Sequence, residues 1–131
     1  MEMSVLEAAM HGNANHELEL ALLHGDPNEV GPGGNTPLHA AVLGEDPVAV
    51  MKLVAAGANP NLPDQVGATP LHWAAKLGRP ATLFALLAGG ANPHLKDERG
   101  ETPLEWAERE GNDATVAILT ATMQHVFYSK K

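Results

Sequence analysis

The chain has 131 residues, of which 44% are hydrophobic, 18% charged and 4% aromatic, enough for one domain with a core of its own built largely from small side chains. Eight basic residues stand against sixteen acidic ones, a formal charge of −8, and this balance argues against a nucleic-acid partner, which needs Lys and Arg to displace phosphate counterions. The lack of cysteine excludes disulfides, thiolate nucleophiles and sulfur-ligated zinc, and no apolar run approaches the roughly 20 residues of a membrane helix.

The acid excess lies entirely in residues 1–51, which hold Glu2, Glu7, Glu17, Glu19, Asp26, Glu29, Glu45 and Asp46 and no Lys or Arg. Residues 52–131 carry eight charges of each sign. Solvation of outer faces is the plainer account of the acidic half, and steering of a basic protein partner is the sharper one. The first residues, MEMSVLEAAMHGNANHELE, lack the basic and apolar stretches of a leader. A cytoplasmic location is therefore expected.

In chain order, Ser4-Val5-Leu6-Glu7 opens a first helix and Leu18 lies in a second that stops near Gly25. Thr36-Pro37-Leu38-His39 opens the next unit, and Thr69-Pro70-Leu71-His72 and Thr102-Pro103-Leu104-Glu105 follow at intervals of 33 residues. Pro47 and Pro80, Gly57 and Gly90, Asn59 and Asn92, and Asp64 and Asp97 repeat at the same interval. In each unit a threonine hydroxyl can cap a helix whose first turn holds proline, where the missing N–H costs nothing. Leu71, Ala74 and Ala75 then mark one apolar face, and that helix stops near Gly78. Pro80 opens a second helix with Leu83, Leu86 and Leu87 on one face, ended by Gly89 and Gly90. The stretch ANPHLKDERGE reads as a hairpin-like loop in which Gly100 takes positive φ. A helix pair of this size cannot bury its apolar face alone, so the units must stack.

The unit resembles the ankyrin repeat, whose 33-residue period and T-P-L-H-x-A pattern TPLHWAA (69–75), Gly78 and Gly90-Ala91-Asn92 match residue by residue. The resemblance implies an all-α solenoid of stacked helix-turn-helix units joined by hairpin-like loops. A single domain over 1–131 is expected, with a degenerate first repeat at 1–30, repeats at 31–63 and 64–96, and a last one with a C-terminal cap at 97–131. Departures are the missing threonine and histidine of repeat 1, Glu45 where Gly78 and Gly111 stand, and Glu105 in place of histidine. The resemblance also implies that His39 and His72 bond backbone and join adjacent repeats.

No catalytic constellation is evident. Serine occurs only as Ser4 and Ser129, and His11, His16 and His24 form no i, i+4 ligand pair, since Leu20 stands where HExxH needs histidine. Gly31-Pro32-Gly33-Gly34 lacks the Lys and hydroxyl of a phosphate loop. No enzyme activity, cofactor or metal is implied.

The family resemblance implies another protein as partner, held by loop tips and by the concave face of the first helices, with the chain a monomer. At the loop tips these positions are Pro32, Gly33 and Asn35, then Gln65, Val66 and Ala68, then Glu98, Arg99 and Glu101. On the first helices they are Leu43, Lys76, Leu77, Arg109 and Glu110. Trp73 and Trp106, 33 residues apart, are expected one above the other, either as binding anchors or as filling of the groove between helices. The resemblance also offers an alternative role, substrate of asparagine hydroxylation at Asn61, with Asn28 equivalent and His94 at the same place in repeat 3. The apolar segment Met123–Tyr128 is read as an extension of the last helix that caps the open core, in preference to a dimer or partner contact.

Overall fold

A computed structural model describes residues 4–10 and 16–129. Among them are eight α-helices in consecutive pairs: α1 (Val5–Met10) with α2 (His16–His24), α3 (Pro37–Leu43) with α4 (Pro47–Ala55), α5 (Pro70–Leu77) with α6 (Pro80–Ala88), and α7 (Pro103–Glu110) with α8 (Asp113–Ser129). Each pair packs on the next, so that α1, α3, α5 and α7 form one layer and α2, α4, α6 and α8 the other.

The core between the layers is made of repeated positions. Ala8, Ala9, Ala40, Ala41, Ala74, Ala75 and Ala107 are buried on the first helices, where a methyl side chain lets neighbouring backbones approach closely. Leu53, Leu86 and Leu119 are buried at equivalent places of the second helices, as are Val50 and Leu83. Val116, Leu6 and Leu104 are only partly buried, since they belong to terminal units with a neighbour on one side.

Helix starts follow the expected chemistry. The Thr36 N–H donates to His39 Nδ1 at 3.2 Å and the Thr69 N–H to His72 Nδ1 at 3.0 Å. The opposite ring nitrogens donate across the repeat boundary, His39 Nε2 to the Ala68 carbonyl at 2.9 Å and His72 Nε2 to the Glu101 carbonyl at 2.8 Å. In the last unit Glu105 Oε1 accepts the Thr102 N–H at 3.2 Å. A carboxylate keeps the cap but has no proton to donate to a following loop. Its substitution for histidine therefore removes the donor by which His39 and His72 reach the following loop.

The loops are laddered to one another. The Gly33 carbonyl accepts the Gln65 N–H at 2.9 Å, and the Val66 carbonyl accepts the Glu98 N–H at 3.1 Å. The approach is close enough that a Cβ on Gly67, whose φ is +78°, would stand 2.8 Å from the Glu98 nitrogen. On the other side of the stack, Asn28 Oδ1 accepts the Asn59 N–H at 2.6 Å and Asn61 Oδ1 the Asn92 N–H at 2.7 Å. These two asparagines therefore latch successive repeats. The helix α8 continues to Ser129, which agrees with the expected extension; the capping contacts read for His125–Tyr128 lie outside the described side chains.

Two consequences can be measured. Both imidazoles must be neutral to accept at Nδ1 and donate at Nε2, and burial lowers both, His72 to about 4 from an ordinary 6.5. The unfolded chain then takes up a proton near pH 6.5 that the folded chain refuses until about pH 4. Stability is complete above that window and drains as pH falls through it, by on the order of 3 kcal/mol for His72. Urea titrations from pH 7 to 4 read this loss, and His72→Gln should be less stable at pH 7 with a shallower pH profile. The second concerns Glu45, among the described residues the one non-glycine residue of positive φ, at 55°, in the helix-ending place where Gly78 and Gly111 have 66° and 69°. Glu45→Gly should raise stability by about 0.5–1 kcal/mol, since relief of the left-handed conformation outweighs the ion pair between the exposed Glu45 and the half-buried Arg79. A higher urea midpoint with an unchanged slope is the expected result.

Candidate functional site

Each of the last two loops is built on one aspartate. Asp64 Oδ1 accepts the N–H groups of Val66 at 3.0 Å and Ala68 at 2.9 Å, while Oδ2 accepts the Trp73 indole N–H at 2.8 Å. Asp97 repeats the arrangement on Arg99, Glu101 and Trp106, every bond at 2.9 Å. One carboxylate thus shapes the loop tip and fastens it to the first helix. The 33-residue sequence comparison finds both aspartates, but only their recurring separation of nine residues from a tryptophan could have linked them.

Against this frame lies a cleft of about 280 Å³ where Val66, Lys76, Glu98, Arg99, Glu101 and Arg109 surround the edge of Trp106. The two indoles meet edge to face, with centroids 5.2 Å apart and planes at 86°, rather than lying one above the other. The Lys76 ammonium stands 5.7 Å from both ring centroids, a cation–π position. Arg109 pairs with Glu101. Among the described residues, no three His, Asp or Glu side chains converge as ligands of a metal ion, and no helix is long and apolar enough to cross a membrane.

Matches to the family described as ankyrin repeats (3 copies) cover residues 5–97 and 49–128, nearly all of the chain. The chain belongs to the ankyrin-repeat family. No curated protein matches it. Ankyrin repeats are generally protein–protein interaction modules and are typically not catalytic.

Within this ankyrin stack, the positions singled out in the sequence fall into three groups. Leu43, Gln65, Val66, Lys76, Leu77, Glu98, Arg99, Arg109 and Glu110 are exposed, along with Pro32 and Gly33. Asn35, Trp73 and Glu101 are half-buried; the Asn35 Nδ2 group donates to the Pro32 carbonyl at 3.2 Å. Ala68 and Trp106 require correction. Ala68 is fully buried because its carbonyl receives His39 and its N–H is held by Asp64, so its side chain is not a contact surface. Trp106 is 8% exposed, packed against His72 and bound to Asp97, and presents little more than an edge. Groove filling is thus its main role, and Trp73 shares it while keeping part of its ring open.

Asp97→Ala should remove the three bonds its carboxylate accepts and leave the buried Trp106 N–H without an acceptor, at a cost of about 1–3 kcal/mol. Hydrogen exchange at the Arg99 and Glu101 amides should quicken well beyond the global loss of stability. Asp64→Ala should do the same at Val66 and Ala68, leaving the Asp97 bonds to Arg99 and Glu101 in place.

Proposed function

We propose that this chain is a non-catalytic binding module that holds a protein partner along the concave face and loop tips of its repeats, in the cytoplasm and as a monomer. The observation that carries this reading is a set of exposed side chains gathered around one cleft. Val66, Lys76, Arg99 and Arg109 stand exposed around a cleft that Asp97 and Trp106 also line, and Leu77, next to Lys76 in the chain, is exposed as well. A rigid frame with free apolar and charged groups at its rim binds without losing much conformational freedom. Scaffold, inhibitor and adaptor are all roles such a surface can serve.

The test uses variants that spare the frame. Lys76→Glu with Arg99→Glu, and separately Leu77→Ala with Val66→Ala, should keep the parent circular dichroism and melting temperature. A partner enriched from lysate on the parent should bind each variant at least about tenfold more weakly, because rim charges and central apolar anchors govern such contacts. Equal binding of both variants would move the binding surface elsewhere. The alternative, hydroxylation of Asn61, requires an enzyme to reach an asparagine held between Asn92 and Gly90. An intact mass one oxygen heavier in protein from native cells would carry that reading.

A further inference from the structure

The cleft beside Trp106 is lined by Lys76, Arg99 and Arg109 and by Asp97, Glu98 and Glu101, so its formal charges cancel. Their hydrogen-bonding capacity does not cancel. Asp97 uses both oxygens, Oδ1 on the N–H groups of Arg99 and Glu101 and Oδ2 on the Trp106 indole. Glu101 is half-buried and pairs with Arg109. Two of the three carboxylates are therefore committed to the fold, and Glu98, exposed at the loop tip, is the third. The cations are less engaged. Among the described residues, neither Lys76 nor Arg99 forms an ion pair, and both side chains are exposed. Arg109 meets Glu101 through Nη2 alone, and its side chain is 51% exposed.

Lys76 is also held in place. Its ammonium stands 5.7 Å from the ring centroids of Trp73 and Trp106, and those indoles are fixed by Asp64 and Asp97 at 2.8 and 2.9 Å. A cation–π contact of this kind restrains the ammonium while leaving protons for an oxygen acceptor. A lysine so restrained loses less rotamer freedom on meeting an anion than one free in solvent. The cleft thus presents an excess of N–H donors, one of them pre-positioned, beside the edge of an aromatic ring. A carboxylate satisfies such donors, and a guanidinium receives it through two parallel bonds. A phosphate dianion suits the place less well, since Glu98 and Glu101 stand in the same cleft and repel the second charge. The corresponding cleft of repeats 1 and 2, about 290 Å³ among Leu6, Met10, Ala40 and Leu43, is lined by no charged side chain.

We propose that the cleft of repeats 3 and 4 receives the carboxylate of an aspartate or glutamate side chain of the protein partner, held by Lys76 and Arg99 against the edge of Trp106. The proposal rests on the reading of the chain as a binding module and gives one contact of that binding its chemistry.

The test is selection of a random peptide library on the folded chain, followed by titration of synthetic copies of the enriched peptides. Enrichment of an acidic position is expected, and changing that residue to its amide should weaken binding at least about tenfold. Lys76→Gln and Arg99→Gln, at exposed positions and checked by circular dichroism, should each weaken the acidic peptide and leave the amide peptide nearly unaffected, because the partner they lose is the carboxylate. Added salt should weaken the acidic peptide more on the parent than on either variant. A charge exchange completes the test: Lys76→Glu should bind a peptide with lysine at the acidic position more tightly than the original peptide. Selected peptides without an acidic residue, equal losses of the acidic and amide peptides on Lys76→Gln and Arg99→Gln, or tighter binding of phosphoserine at the acidic position would overturn the proposal. Peptides weakened by Leu43→Glu and not by Lys76→Gln would place recognition at the apolar cleft, overturning the proposal and leaving the binding-module reading intact. A library that yields no peptide would overturn the proposal as well, and the lysate enrichment would then decide the binding-module reading by itself.

Discussion

A neutral imidazole bonded at both nitrogens is the constraint on which the stack depends. At Nδ1 it accepts the N–H that opens its own helix, and at Nε2 it donates to a carbonyl in the loop of the next repeat. The first bond is local and could form in an isolated helix pair. The second exists only when the neighbour is in place, so one side chain couples helix initiation to repeat stacking. Burial, which keeps the ring unprotonated, is supplied by the stacking that the ring supports, and this mutual dependence is the physical content of cooperativity between repeats.

A second device stiffens the other end of each unit. The loop aspartates spend one oxygen on two amides of the turn and the other on an indole, so the tip cannot move without breaking bonds to the helix. The tryptophans are committed to this task, which is why the larger share of their surface is withdrawn from any partner. The groups that remain exposed around them are Lys76, above the two rings, and the Val66, Arg99 and Arg109 side chains at the rim of the cleft. Where the aspartate and tryptophan are absent together, at Gly31 and Ala40, the same architecture leaves an apolar opening in the acidic half of the molecule. One backbone plan thus presents two surfaces of different chemistry, a mixed-charge cleft and an apolar one.

Most of the fold was legible in the chain. Helix starts at Pro37, Pro70 and Pro103, the stops at Gly78 and Gly111, and the positive φ of Gly100 were all carried by residue types whose backbone preferences are strong and local. The first repeat shows the limit of this reading: Leu6, which lies 32 residues before the buried Leu38, is only partly buried, while Val5 beside it is fully buried. Loop positions were harder. Counting from the tetrapeptide made Ala68 and Glu101 equivalent tips, yet the alanine is interior and the glutamate is half-buried in a pair with Arg109. Position in a loop says which residues are near the surface, but not which atoms the neighbouring repeat consumes.

What the sequence by itself determined was the period, and with it the all-α stack, because capping threonines, N-terminal prolines and helix-ending glycines act through bonds within a few residues. What only the tertiary structure decided was the division of labour among the recurring positions of the repeat. The same tryptophan could have faced a partner or a loop, and the choice was made by Asp64 and Asp97 nine residues away, whose carboxylates reach the indole only once the loop has folded back. Likewise the alanine at position 40 is unremarkable in the chain and comes to line an apolar cleft only once Leu6 and Met10 of the first repeat stand beside it. Side-chain spacing governs local structure, whereas the identity of a binding surface depends on which groups remain unspent after the repeats have closed on one another.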